Sequence, residues 1–464
     1  MSNIRTTRRS TGALTTLLAV CALQALAWGQ ASAQAAGQGE PPAVIGAGRS
    51  WTDGNGRLSL GALYRLLEQG NPRIEAARAS ARAAEARVPG ARRPPDPELQ
   101  IGFMNRELPS LAPMDPLGMT QLQVMQMLPL GGKLGLAGRV ADAEADAARE
   151  RAEDTQWDIR ARVAMAFYDL YASDRSLAID SLTLGLVQDI VTTTRAMYAV
   201  GDGRQADVLR AQVEVARMTE ELIRMRAMRV AMSSRLTGLL DAPTDTALPT
   251  PVLPRLPALL PPLDSLQRLA ERQRPMIRAG LEELRGAEAA TRLARREIWP
   301  DLQVGVQYGW REGEMGMTER MGSLMLGATV PIFARSRQLR MREEAAAMQA
   351  MASADVAAMR AETRARVAEL YADIVRARNL AALYRTSILP QAGAAVTSSL
   401  ASYRVGDLPL MQLLDNQMTV NRYQRELLTL DAEQGKALAE LEMLVGRELF
   451  DVNADGVPPA GSGR

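Results

Sequence analysis

The sequence predicts a mainly helical protein with a membrane β-barrel portion, built from two homologous halves. The main observation is a duplication: two short alternating segments followed by a very long helical pattern occur twice, roughly 200 residues apart. The first long pattern ends at Val200 and Gly201, and the second ends at Val405 and Gly406. Aromatic residues make up only 4% of the chain, as is typical of long helices. Each half therefore combines a β-hairpin with helices longer than a globular core can use.

Residues 1–33 carry the pattern of a secretory signal peptide. Its parts, in order, are the basic residues Arg5, Arg8 and Arg9, the apolar run 14–28 and the small residues 31–33. A membrane anchor is the alternative, but the apolar run is short and ends in small polar residues. Cys21 is the only cysteine, and it either carries a lipid or is removed with the leader, which we favour. We expect an exported chain that begins with a flexible segment over residues 34–57.

Composition and charge exclude several functional classes. The sequence contains 55 basic and 53 acidic residues and no histidine. Without the three leader arginines the two charges nearly balance, which gives no support to nucleic-acid binding. The lack of histidine excludes histidine catalysis and histidine metal sites, and we expect no cofactor and no resident metal. The 24 methionines could offer soft ligands to Cu(I), but filling apolar positions in strands and helix seams is the simpler interpretation.

Four short segments alternate apolar and polar residues with the period of a β-strand. They cover residues 99–103, 120–127, 302–308 and 324–330. One apolar and one polar face are typical of a transmembrane strand. A strand of a soluble sheet is the alternative, and it is weaker because the same hairpin occurs twice in an exported chain. Four strands cannot close a barrel and lipid does not tolerate open sheet edges. Several copies of the chain must therefore contribute, and three copies would supply about twelve strands, within the usual range of outer-membrane barrels.

Long proline-free patterns predict helical hairpins that continue from the β-hairpins. Two short helices, 59–68 and 72–88, precede the first strand. No proline occurs between Lys133 and Tyr198, and roughly 65 helical residues would measure near 100 Å. The return helix is predicted over 204–240, and the second half repeats the pair over 336–402 and 409–446. The predicted domains are a first repeat (58–241), a proline-rich linker (242–262), a second repeat (263–449) and a disordered tail (450–464).

The order, spacing and duplication of these motifs resemble the TolC family of outer-membrane efflux proteins, over about residues 56–449. The matching elements are the segment from Pro97 to Gly102, the segment from Gln126 to Lys133, and the two Val-Gly turns. The Gly-Gly-Lys form of the second segment is similar to the heavy-metal branch (CzcC- and CusC-like). The resemblance implies a trimer in the outer membrane of a Gram-negative bacterium, with a twelve-stranded barrel and an α-helical tunnel in the periplasm. The implied partners are a periplasmic adaptor (membrane fusion) protein, an inner-membrane transporter of the RND type and outer-membrane lipid.

The resemblance also implies that the two turns lie at the periplasmic tips of the helices. Val200 and Gly201 at one tip, and Val405 and Gly406 at the other, would contact adaptor hairpins. Asp415 would belong to an aspartate ring that constricts the closed tunnel, since three carboxylates on one axis attract a cation. An ordinary solvated helix residue is the alternative for Asp415.

Three further positions complete the implied gate. Gln412 occupies the companion position of the ring, where some family members have an acid. Asp207 and Tyr403 match two members of a latch between the tips. The arginine of that latch is replaced by Leu408, so a Tyr403–Asp207 hydrogen bond is what remains of the latch.

The sequence therefore predicts the exit duct of a tripartite efflux pump, which conducts metal cations or small toxic compounds passively. A periplasmic coiled-coil adaptor or scaffold that bridges two membranes is the alternative, although the duplicated hairpin has no role in it. Asp207, Arg210 and Asp415 could be interpreted as catalytic groups, but an enzyme is rejected because nothing in the sequence supplies a nucleophile with an activating base.

Overall fold

The computed structural model describes residues 51–52, 56–105, 107, 109, 118–243, 246–257, 259–312 and 317–450. The predicted signal peptide, most of the predicted flexible segment and nearly all of the predicted tail lie outside the described residues. None of the helices in the described part of the chain has the length and hydropathy of a membrane span.

Two short helices open the first repeat, α1 (Leu60–Glu68) and α2 (Pro72–Ala91). Ser59 and Asn71 cap them, each accepting hydrogen bonds from backbone amides of the first turn. Helix α2 passes through Pro89 and ends just beyond its predicted end. The extension is tolerated because a proline so close to a helix end removes only one hydrogen bond.

Four antiparallel strands form one sheet in the order β1-β2-β3-β4. Their ranges are Glu98–Met104, Met119–Leu128, Leu302–Glu312 and Thr318–Ala328. Strands β1 and β2 come from the first repeat and β3 and β4 from the second, so the β2–β3 pair joins the two halves. The four predicted strands are confirmed, although β4 begins and ends earlier than the alternation indicated.

The strand register gathers apolar residues on one face of the sheet. One row across the sheet contains Leu99, Val124, Val306 and Leu324. These side chains are 63%, 42%, 58% and 69% exposed in the single chain. The next row lies on the opposite face and is polar: Gln100, Gln123, Gln307 and Ser323. A contiguous exposed apolar face of this kind marks a surface made for an apolar environment.

Long helices continue directly from the sheet. Helix α3 (Lys133–Ala199) has 67 residues, about 100 Å at 1.5 Å per residue, and α4 (Gln205–Leu239) returns beside it. The second repeat contains α5 (Leu263–Gln273), α6 (Pro275–Arg296), α7 (Gln338–Leu383), α8 (Leu389–Arg404) and α9 (Leu410–Val445). Helix α3 contacts α2 and α4 of its own repeat and α6 and α9 of the other. The two repeats are therefore packed together along most of their length.

The long helix of the second repeat is interrupted, whereas the sequence predicted one continuous helix over 336–402. A π-helical turn, Tyr384–Ile388, separates α7 from α8, and the Leu389 amide donates to the Tyr384 carbonyl five residues back. Pro390 follows, and its ring nitrogen has no hydrogen to donate to the preceding turn. The wider π turn accommodates this missing bond. The first repeat has no proline at the matching place, so its helix runs on without a break.

The short helices cover the middle of the long ones. Helix α1 places Leu63 and Tyr64 in a core with Phe167 and Tyr168 of α3. Close packing there depends on Gly435 of α9, because a Cβ at that position would lie 2.3 Å from the Tyr168 ring. Helix α5 forms a second core with α7 and α9, lined by Leu266, Ala270, Leu370, Ile374, Leu438 and Leu441.

Candidate functional site at the helix tips

Two turns join the far ends of the long helices, where the sequence predicted the tips. Gly201 has φ +87° and Gly406 has φ +80°, a left-handed conformation that glycine adopts at helix ends at little cost. The Asp202 amide donates to the Met197 carbonyl at 2.9 Å, and the Asp407 amide donates to the Ser402 carbonyl at 3.0 Å. The two turns therefore close their helices in the same way, as expected of a duplicated unit.

The valine before each glycine projects from the end of the hairpin. Val200 is 74% exposed and Val405 is 71% exposed. Exposed apolar side chains beside a glycine turn suit contact with a partner surface. Adaptor docking at these four turn residues stays a prediction.

The tip is held together by a small apolar core with Tyr403 inside it. Tyr403 is 6% exposed and packs with residues of α3, α4 and α9: Val187, Ile190, Val191, Ala211, Leu410, Leu413 and Leu414. Its hydroxyl lies 3.0 Å from Thr194 Oγ1, and the Thr194 hydroxyl donates to the Ile190 carbonyl at 2.8 Å. This bond ties the second tip to the first.

The predicted hydrogen bond between Tyr403 and Asp207 is not formed in this structure. The Tyr403 hydroxyl points into the apolar core and pairs with Thr194 of α3 instead. Asp207 lies in the first turn of α4 and is partly exposed, where a carboxylate is favourable because the helix dipole is positive there. The structure thus places both residues at the tips without joining them.

Asp415 lies on an exposed face of α9, and Gln412, three residues earlier, is exposed as well. Asp415 lines a groove between α4 and α9 together with Arg210, Val213, Glu214, Arg217, Met411, Leu414 and Met418. Arg217 pairs with Glu214 at 3.0 Å, whereas Asp415 has no ion pair within the described chain. The Asp415 carboxylate is therefore free to face a second copy of the chain or a cation.

A buried polar cluster between the long helices was not predicted from the sequence. Asp180 of α3 is fully buried, and its Oδ1 accepts a 2.9 Å hydrogen bond from Asn421 Nδ2 of α9. The same Asn421 nitrogen lies 2.9 Å from Thr183 Oγ1, and Arg425 lies 3.8 Å from Asp180 Oδ2. A signal was available: Asp180 falls between Leu177 and Leu184 at coiled-coil seam spacing, where an acid is unusual.

A second buried carboxylate, Glu442, lies near the end of α9 that is remote from the tips. It is 2% exposed and accepts a 2.7 Å hydrogen bond from the Leu449 amide. Burial raises the pKa of Glu442 to about 7, although the Leu449 amide and the charge of Arg160 act in the opposite direction. The carboxyl therefore titrates near neutral pH.

The described residues contain no group of three or more histidine, cysteine, aspartate or glutamate side chains placed to hold a metal ion. The arrangement at the tips consists of apolar packing, two glycine turns and a groove with unpaired charges. Such an arrangement can bind a partner surface.

Fold and site together define a protein of long helical hairpins attached to a small antiparallel sheet. The chain belongs to the outer membrane efflux protein family, whose model matches residues 63–241 and 266–447. The family unit is present twice, which confirms the internal duplication. No curated protein matches the sequence significantly.

Solved structures of membrane proteins share the fold. A membrane protein from Pseudomonas aeruginosa superposes with a TM-score of 0.73 at 20% identity, covering 88% of this chain and 98% of that one. VceC from Vibrio cholerae gives 0.71 at 17% identity, with 84% and 97% covered. CusC gives 0.71 at 15% identity, with 88% and 98% covered. At these identities the likeness establishes the architecture, and substrate and partners need separate arguments.

Proposed function

We propose that this protein is the outer-membrane exit duct of a tripartite efflux pump and conducts substrate passively to the exterior. The sheet is the observation that supports this most. The outer edges of strands β1 and β4 have no strand partner within the described chain, and the apolar face of the sheet is exposed. In lipid, unpaired strand edges are too costly to persist. Pairing β4 of one copy with β1 of the next removes them.

The order of the helices supports the same closure. Strand β1 follows α2, β2 leads into α3, β3 follows α6 and β4 leads into α7. The helices contact each other in the order α2-α3-α6-α7, which is the order of the strands. A ring of strands therefore continues into a ring of helices. Three copies supply twelve strands, within the usual range of outer-membrane barrels, so a homotrimer is the assembly that we propose.

The tips are the proposed gate and docking site of this duct. Asp415 and Gln412 would line the constriction, and Tyr403, paired with Thr194, would hold the two tips of one copy together. The Val-Gly turns at 200–201 and 405–406 would receive a periplasmic adaptor that connects the duct to an inner-membrane transporter of the RND type. The cargo would be metal cations or small toxic compounds. CusC and VceC match this fold equally well, so membership of the heavy-metal branch stays a prediction.

Single-channel recording in planar bilayers tests this proposal. The protein purified from outer membranes should give a discrete, cation-selective conductance and run as an oligomer. Asp415→Asn should raise the conductance of the closed channel and weaken block by divalent cations, because a ring of charge is lost. Asp202→Asn removes an exposed acid from a turn and is the matched control.

Two outcomes would change the interpretation. A silent, water-soluble monomer would refute the duct and favour the periplasmic adaptor. A conducting oligomer in which Asp415→Asn behaves like wild type would keep the duct and remove Asp415 from the gate.

A further inference from the structure

We propose that an arginine groove at the junction of sheet and helices binds the phosphodiester head group of an anionic phospholipid. The groove lies between the start of α3 and the end of α6. It is lined by Gly131, Gly132, Leu136, Arg139, Arg292, Arg295, Arg296 and Trp299. The inference rests on the outer-membrane placement of the proposed function, since that placement brings the groove next to lipid.

The groove carries positive charge that the protein does not neutralise. None of its four arginines forms an ion pair with another residue that the structure describes. Two acids at the end of α6 and just beyond it are already engaged, because Lys133 lies 3.5 Å from Glu297 and 2.8 Å from Asp301. Lys133 also donates to the Trp299 carbonyl at 2.9 Å. Planar guanidinium groups with free donors suit the oxygens of a phosphate, which they can bind in bidentate fashion.

The groove lies where the apolar face of the sheet ends. Trp299 is 51% exposed, and its ring contacts Gly131, where a Cβ would be 3.4 Å away. Strand β3 begins only three residues later, at Leu302. Tryptophan is enriched at the boundary between the hydrocarbon layer and the head groups. The arginines therefore lie at the depth of the phosphates when the sheet lies in lipid.

The groove opens on the outside of the helical ring. Arg139 and Arg160 lie three heptads apart on α3. Because a straight helix turns about 20° out of register per heptad, the two side chains point about 60° apart around the helix axis and share one face. The Arg160 guanidinium lies 3.7 Å from the centroid of the Tyr64 ring in α1. Helix α1 and the core around it therefore cover the face of α3 that includes Arg160. This covered face must be on the outside of the tube, because helix α1 would block conduction if it lay in the lumen. The arginines therefore face the membrane leaflet next to the periplasm.

Native mass spectrometry of the detergent-purified protein tests the lipid site. Phosphatidylglycerol should stay bound to the oligomer, whereas the zwitterionic phosphatidylcholine should not. The variant Arg292→Gln/Arg295→Gln/Arg296→Gln should weaken phosphatidylglycerol binding on the order of a hundredfold, since each basic residue near an anionic lipid contributes about fivefold. The control Arg175→Gln/Arg195→Gln/Arg226→Gln removes three exposed, unpaired arginines remote from the sheet and should bind like wild type.

Further measurements distinguish a lipid site from a site for a free anion and from no site at all. Equal binding of phosphatidylglycerol by both triple variants would overturn the site. Full displacement of the lipid by millimolar inorganic phosphate would assign the groove to a free anion and overturn the lipid assignment. Size-exclusion chromatography shows whether each variant still assembles. Conductance recorded on the same samples reports on the duct separately, because the arginines lie outside the lumen and the triple variant should still conduct.

Discussion

The replacement of Asn421 by alanine offers a sharp test of how the long helices are held together. Asn421 supplies the hydrogen bond to the Asp180 carboxylate, whose other oxygen has no hydrogen-bond partner in the described structure. The alanine variant leaves a fully buried carboxylate without this hydrogen bond, with Arg425 3.8 Å from its other oxygen. We expect a clear loss of stability in this region.

The magnitude follows from the type of bond that is lost. A hydrogen bond to a charged group contributes roughly 1.5–3 kcal/mol, and an unsatisfied buried charge costs more. We therefore expect Asn421→Ala to lower the free energy of unfolding by about 3 kcal/mol. Asn416→Ala is the matched control on the same helix: its amide donates to Ser399 Oγ at 2.6 Å, and both groups are neutral. A loss of about 1 kcal/mol is expected there.

Urea denaturation, followed by helical circular dichroism at a fixed protein concentration, measures both variants. A double-mutant cycle with Asp180→Asn isolates the charge, because that change keeps the shape and removes the carboxylate. In the Asp180→Asn background, Asn421→Ala should cost about 1 kcal/mol. The same cost of Asn421→Ala in both backgrounds would refute the proposed role of the buried carboxylate.

Two further predictions concern Glu442 and Gly406. Burial raises the pKa of Glu442 to about 7 from 4.5, so its neutral form stabilises the fold below about pH 4.5, and this contribution is lost as the pH rises through 7. The thermal midpoint of the wild type should therefore fall from about pH 5 to about pH 8, and Glu442→Gln should remove most of that fall; parallel profiles would contradict the prediction. Gly406 has φ +80°, so Gly406→Ala should destabilise the tip by about 1 kcal/mol and Gly406→Asn by less. The urea midpoints of the two variants measure these losses of stability. Equal losses for Gly406→Ala and Gly406→Asn would contradict the role of backbone strain at this turn.

The repeat, the strands and the long helices could be predicted because each has a periodic signal. Helix α3 ends at Ala199, one residue from its predicted end, since a glycine turn follows directly. The interruption at Tyr384–Ile388 has no periodic signal of its own, because the second half repeats the helical pattern of the first. Pro390 was visible in the sequence. Whether a proline ends, bends or widens a helix depends on what surrounds it.

The candidate site likewise has parts that the sequence predicts and parts that it does not. The two glycine turns were predicted in place, because glycine with a positive φ is a local requirement. The partner of Tyr403 was not, because Thr194 lies 209 residues away in the chain, and only packing decides which side chain a buried hydroxyl meets. The arginine groove likewise joins the ends of helices from both repeats, which no local pattern brings together.

The sequence by itself determined the duplicated plan of this protein: hairpins with one apolar face, helices about 100 Å long and a glycine turn at each tip. These features arise from periodicity and backbone preference, which act over a few residues. Only the tertiary structure decided the strand order across the two repeats, the burial of Asp180 and Glu442, and the pairing of Tyr403 with Thr194. These features depend on contacts between distant segments, and their energies come from desolvation and packing that exist only once the segments meet.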